Sequence, residues 1–156
     1  MRDDLRELNN VNGKSRMVSG YCYDWNVKYN RGEWDITLKN GFNAKRNLSN
    51  DEYWAINKDS FEEVGCIHTC QGMEFEYVGV IIGKDLIYRN GQVITDKRAI
   101  SKDDRTSGIR SCKNEGLADH LIRNTYKDLL TRGLKGCFVY CEDEELSEHI
   151  KELLSK

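Results

Sequence analysis

Apolar and polar positions along this chain mark out a run of short elements. Residues 1–10 carry Leu5 and Leu8 as their only apolar contacts and predict a short helix, broken by Asn9-Asn10-Val11-Asn12-Gly13. Residues 16–25 are strand-like, and residues 26–60 are weakly patterned. Within that stretch residues 34–38 alternate like a strand, and Trp54 anchors the segment that follows. Residues 64–68 begin a further strand. Residues 77–82 (Tyr-Val-Gly-Val-Ile-Ile) are continuously apolar, the mark of a strand buried on both faces of a parallel sheet. Residues 86–94 predict a hairpin with Asn90-Gly91 at its turn, the pair that a type I′ turn favours.

Residues 96–113 are polar, basic-leaning and loop-like. Residues 114–131 predict a helix with Leu117, Leu121, Ile122, Thr125 and Leu129 on one face, and Gly133 and Gly136 frame its exit. Residues 137–140 predict another buried strand. A last helix spans residues 144–154, with Leu146, His149, Ile150 and Leu153 turned inward. This order, with two apolar strands, predicts an α/β protein built on a layered sheet.

Length narrows the picture. The 156 residues suit one ordinary domain with a real core and leave no room for two enzymatic domains. An aromatic content of 10% argues against disorder despite a charged fraction of 32%. No apolar run approaches the ~20 residues of a membrane span, and the amino terminus lacks the apolar segment of a signal peptide, so no membrane partner and a cytoplasmic location are expected. The net charge of −2 means that any nucleic-acid surface must be a local patch. The six cysteines are expected as free thiols in a reducing compartment.

Candidate chemistry begins with two negatives. Gly13-Lys14-Ser15 resembles the end of a phosphate-binding P-loop, but Leu8 stands where the motif needs Gly, and a strand follows where it needs a helix. Gly83-Lys84-Asp85 lacks the hydroxyl after Lys, so no P-loop is present to hold a nucleotide in the usual way. Cys66, His68 and Cys70 would spread over ~13 Å on one face of an extended strand, too far to close on one zinc ion. No metal site is expected.

Two constellations remain. In residues 65–83 a strand runs into His68-Thr69-Cys70-Gln71-Gly72, a short turn carries Glu74, and a buried strand follows. A polar loop at the end of a sheet strand is where α/β sheets bind ligands; an ordinary connection between strands is the alternative. In residues 124–136, Thr131-Arg132-Gly133 ends a helix. Arg132 either caps the helix dipole or is presented toward a phosphate.

Together the two resemble motifs V and VI of superfamily-one helicases. The chain is most similar to bacterial proteins with a Schlafen-type DNA/RNA helicase domain, through Arg-x-Val-x-Gly-Tyr-Cys-x-x-Trp (residues 16–25), Gln-Gly-x-Glu-Phe (71–75) and Leu-Leu-Thr-Arg-Gly-x-Lys-Gly (129–136). The resemblance covers about residues 16–142. It implies a RecA-like, P-loop NTPase type of fold: a mostly parallel sheet flanked by helices, with an inserted β-hairpin. The whole chain, 1–156, would be the second RecA-like half of a helicase-type motor, with the first, P-loop domain as its missing partner. ATP and Mg2+ would be cofactors of the full-length parent and would not be held by this chain alone, which should not hydrolyse ATP. Arg132 would be the arginine finger, Gly72, Glu74 and Thr131 would approach the nucleotide, and His68, Thr69 and Gln71 would face DNA or RNA. Cys66 departs from the family, where a Thr often grips nucleic-acid phosphate, and Tyr126 stands one residue before the usual aromatic. Two other functions stay open. One is a non-catalytic nucleic-acid-binding module using Lys97, Arg98, Lys102, Arg105, Arg110 and Lys113. The other is a metal-dependent nuclease on Asp35, Glu74 and Glu76, disfavoured because no Lys signature follows the two glutamates.

Overall fold

The computed structural model describes residues 1–24, 32–47, 53–104 and 106–156. Trp25 and Arg105 lie outside the described residues. Helix α1 (Arg2–Asn12) ends at Gly13, whose φ of 72° suits glycine and whose N–H bonds to the Asn9 carbonyl. Strand β1 (Ser15–Ser19) follows, shorter than the strand predicted over residues 16–25 because the chain turns at Gly20. Strands β2 (Ile36–Thr37) and β3 (Asn43–Arg46) form a short antiparallel pair. A 3₁₀ turn (Lys58–Glu62) leads to β4 (Glu63–Cys66), the one-turn helix α2 (Ile67–Cys70) and β5 (Phe75–Ile82). The hairpin β6 (Leu86–Arg89) and β7 (Gln92–Thr95) turns at Asn90 and Gly91 with φ of 51° and 79°, as a type I′ turn requires. Helix α3 (Glu115–Leu130), strand β8 (Gly133–Cys141) and helix α4 (Glu144–Leu154) complete the chain.

The described residues form a six-stranded sheet in the order β2-β3-β4-β1-β5-β8, parallel except for β2, with the hairpin as a separate pair. This is the α/β architecture with a mostly parallel sheet, flanking helices and an inserted hairpin that the sequence predicts. Strand β1 is central: Met17 faces Val64 of β4 on one side and Gly79 of β5 on the other. The continuous apolar run of β5 is buried because both faces are covered. Val78, Val80 and Ile82 join a core with Ala118, Ile122, Tyr126 and Leu129 of α3, Leu146 of α4, and Trp54. Ile81 joins the opposite core with Leu5 of α1, Met17, Phe61 and Val64.

Arg16 enters this interior fully buried. Its guanidinium donates to Ser60 Oγ at 3.1 Å, Asn57 O at 2.8 Å and Asn9 Oδ1 at 3.0 Å, neutral acceptors that tie α1, β1 and the 3₁₀ turn together. Burial without a counter-charge pushes its pKa down from the ordinary arginine value. The arginine that opens the first shared motif thus has a structural task.

Three sequence expectations change. Helix α3 buries Ala118, Ile122, Thr125, Tyr126 and Leu129, while Leu117 and Leu121 face outward, 50% and 36% exposed. Strand β8 is no doubly buried strand: it lies at the sheet edge, and Cys137 is exposed. Leu153 of α4 faces solvent, and His149 stacks on Tyr88 of the hairpin at 3.9 Å.

Candidate functional site

The two constellations meet through the segment that joins β4 to β5. Cys66 lies level with Ser19, and Ser19 level with Ile81. The chain must then return six residues along β5 to enter it at Phe75. Residues 67–74 therefore cross roughly 20 Å of sheet, from the carboxyl ends of the strands to their amino ends, at about 3.3 Å per strand residue. This strap divides the candidate residues into two groups.

At the carboxyl end stand His68 and Thr69. His68 is exposed, its Nε2 3.0 Å from Thr106 Oγ1, with Tyr21 edge-on at 5.5 Å. Thr69 has an internal task. Its hydroxyl accepts from the Cys66 N–H at 2.9 Å and donates to the Cys66 carbonyl at 2.9 Å, closing the turn of α2. Cys66 is buried, and its Sγ lies 3.7 Å from the Thr69 hydroxyl. Burial pushes the neighbouring Cys70 thiol up to about 12, with Cys66 adding to the shift. Among the described residues no group of three or more His, Cys, Asp or Glu could hold a metal ion.

Gln71, exposed, sits midway along the strap. Gly72 takes φ of 77°, a conformation natural to glycine, and turns the chain back toward β5. At the amino end, Glu74 is exposed with no hydrogen-bond partner for its carboxylate among the described residues. Arg132, just before β8, accepts on its carbonyl from Phe75 N–H at 2.9 Å, and its Nη1 donates to the Met73 carbonyl at 3.4 Å. No carboxylate pairs with this guanidinium among the described residues, and its Nε is buried without a partner. Capping of α3 falls to Thr131, whose hydroxyl donates to the carbonyls of Lys127 and Asp128, both at 3.0 Å. Arg132 is therefore no helix cap. Its cationic end rests against the strap, with Gly72 and Glu74 beside the residue it touches.

Nearby Glu76 shows what a committed carboxylate looks like here. Lys135 at 2.8 Å, then Asn12 and the more distant Lys14, hold its carboxyl below the usual range. It is engaged structurally, which removes it from a paired-carboxylate nuclease site with Glu74. Part of the basic loop of residues 96–113 is engaged as well. Lys97 pairs with Glu115, Arg98 with Asp96, and Arg110 donates to the carbonyls of Arg98 and Ile100. Lys102 and Lys113 carry no ion pair among the described residues. A groove of about 430 Å³ between α3 and the hairpin, floored by Leu86, Val93 and Leu130, ends at Thr131.

Sequence patterning missed a buried polar cluster at the carboxyl ends of β1 and β5. Asp85 is 1% exposed; its Oδ1 accepts from Cys22 Sγ at 2.6 Å and Tyr126 OH at 2.5 Å. Burial raises all three pKa values. The signal was a lone Asp directly after an apolar strand, with a Tyr on the helix that covers it.

The described residues thus combine a mostly parallel α/β sheet with an arginine beside a glycine-bearing strap. The chain belongs to the Schlafen group 3, DNA/RNA helicase domain family, whose model matches residues 1–143. It is also similar to Uncharacterized protein YPL245W of Saccharomyces cerevisiae, 29% identical over 161 residues covering 96% of this chain and 34% of that protein. The chain thus spans about a third of the length of that relative. No solved structure matches. No helix among the described residues is long and apolar enough to cross a membrane.

Proposed function

We propose that this chain is the second RecA-like half of a superfamily-one-type helicase motor. ATP and Mg2+ are bound chiefly by a separate P-loop domain, and Arg132 reaches the γ-phosphate across the cleft between them. The observation that carries this reading is the state of Arg132: a half-buried guanidinium with no carboxylate partner among the described residues, relieved of capping duty by Thr131, set against the Gly72–Glu74 turn. Unlike Arg16, whose donors are met by neutral acceptors, Arg132 keeps a planar fork with donors left over, which suits an oxyanion. Gly72 and Glu74 approach the nucleotide from the strap, and Thr131 contributes by fixing the helix end. His68 and Gln71 face DNA or RNA, with Thr69 shaping the turn that presents His68.

In phosphoryl transfer from ATP to water, charge builds on the γ-phosphate oxygens and on the leaving oxygen. A planar arginine fork stabilises that charge, whereas lysine supplies only a point. The test is nucleic-acid-stimulated ATPase of the intact two-domain protein. Arg132→Ala should lower turnover by roughly 10³ or more, and Arg132→Lys should rescue poorly. Turnover within a few-fold of wild type would remove the finger role. The isolated 156-residue chain should show no ATPase above blank.

A further inference from the structure

Helix α3 carries Arg132 at its end, and most of what holds α3 to the sheet is apolar. Ala118, Ile122 and Leu129 decide which face turns inward, but apolar contact is non-directional and fixes position along the helix axis poorly. Among the described residues two directional contacts tie this helix to the sheet: the Arg132 carbonyl just past its end accepts from the Phe75 N–H of β5, and Tyr126 makes the other from within the helix. Tyr126, 1% exposed, donates its phenol proton to Asp85 Oδ1 at 2.5 Å and accepts from the Gly83 N–H at 3.0 Å. Cys22 Sγ donates to the same oxygen of Asp85 from the carboxyl end of β1. The other polar ties of α3 lead elsewhere: Arg123 to the Val93 carbonyl and Asp119 to Thr95, both on the hairpin, and Glu115 to Lys97.

The cluster is packed without slack. A Cβ on Gly20 would stand 2.6 Å from the Tyr126 oxygen, and one on Gly83 would stand 2.6 Å from Cys22 Sγ. The phenol therefore has one place to go. Arg132 follows Tyr126 by six residues, about 9 Å of helix rise. Phe75 holds the Arg132 backbone, so what Tyr126 adds is the register of the helix leading into it, and with that the direction in which the guanidinium meets Met73.

We propose that Asp85 is a positioning residue: by accepting the Tyr126 phenol it sets, together with the Phe75–Arg132 backbone bond, the axial register of α3 and so holds the Arg132 guanidinium against the strap. The proposal rests on the reading of Arg132 as the phosphate-facing group. It concerns a residue at the opposite end of the sheet from Arg132, acting through the helix between them.

The experiment follows the Arg132 Nε–H by NMR in this chain, in wild type, Tyr126→Phe and Asp85→Asn. A third variant, Phe61→Leu, perturbs the other core and serves as the destabilised control. Expected are a shifted Arg132 Nε–H signal and about tenfold faster hydrogen exchange there in Tyr126→Phe, the equivalent of one buried hydrogen bond lost. Asp85→Asn, which keeps an acceptor oxygen, should show a smaller change, and Phe61→Leu none beyond its effect on global stability. An unmoved Arg132 signal in Tyr126→Phe, or an equal change in Phe61→Leu, would overturn the proposal. The ATPase test of Arg132 is separate: it can fail while the helix register still depends on Asp85, and the reverse also holds.

Discussion

At the scale of single residues, Thr131 and Arg132 are neighbours with divided work. The hydroxyl of Thr131 closes α3, and the guanidinium of Arg132 takes no part in that closure. Thr131→Val should therefore cost about 0.5–1.5 kcal/mol, the worth of the hydrogen bonding it deletes at an exposed helix end. Arg132→Ala should leave the melting temperature nearly unchanged. Thermal melts of the two variants check this, and a larger loss for Arg132 would return it to a capping role. Asp85 has its own signature. Burial raises its pKa above the ordinary value of 3.8 in the fold. The folded state then binds the proton more tightly than the unfolded one. Its contribution to stability is full below pH 3.8 and is lost as pH rises through the raised value. Asp85→Asn removes that slope, so its stability deficit relative to wild type should be larger at pH 4.5 than at pH 8. Paired denaturant titrations at the two pH values measure it, and a deficit that grows with pH would refute the assignment.

Among elements, Gly65 of β4 explains how a bulky residue enters the core. A Cβ there would lie 2.4 Å from the Trp54 ring, which is 1% exposed. Gly65→Ala should destabilise by about 1–3 kcal/mol, as overpacking of a filled core does. The urea midpoint should fall with no change in the slope. Local pattern revealed β5, the hairpin, α3 and α4 because each carries a strong period or a turn pair. It misjudged α3 by a rotation: Leu117 and Leu121 are as apolar as the true inward residues, and Ala118 and Tyr126 mark the buried face only once the sheet is present. It read the apolar run of β8 as doubly buried because edge and centre differ in topology, which residues 137–140 do not encode. Strand β3, Asn-Ala-Lys-Arg, has no strand-like composition and exists through its pairing with β2 and β4. Of the candidate site, residue types and spacing exposed the strap and Arg132, while the occupied hydroxyls of Thr69 and Thr131 and the pairing of Glu76 depend on contacts distant in sequence.

On the scale of the whole molecule, net charge and patch composition limit what this chain grips. In the basic loop Lys97 and Arg98 sit in ion pairs and Arg110 is bonded to backbone carbonyls, which leaves Lys102 and Lys113 among its described lysines to meet phosphates. The log–log salt dependence of its binding to single-stranded DNA or RNA should be shallow, about 0.7 for each phosphate neutralised and only a few in number. Binding that resists high salt, or that selects one sequence, would point to a dedicated reader. The strap of residues 67–74 spans the sheet between the two groups of candidate residues. It is pinned at one end by the Thr69–Cys66 bonds and at the other by Phe75 on the Arg132 carbonyl. In mechanical terms it is a strut of fixed length laid along the sheet. Its span is set by the strands beneath it, so its two ends keep a constant separation.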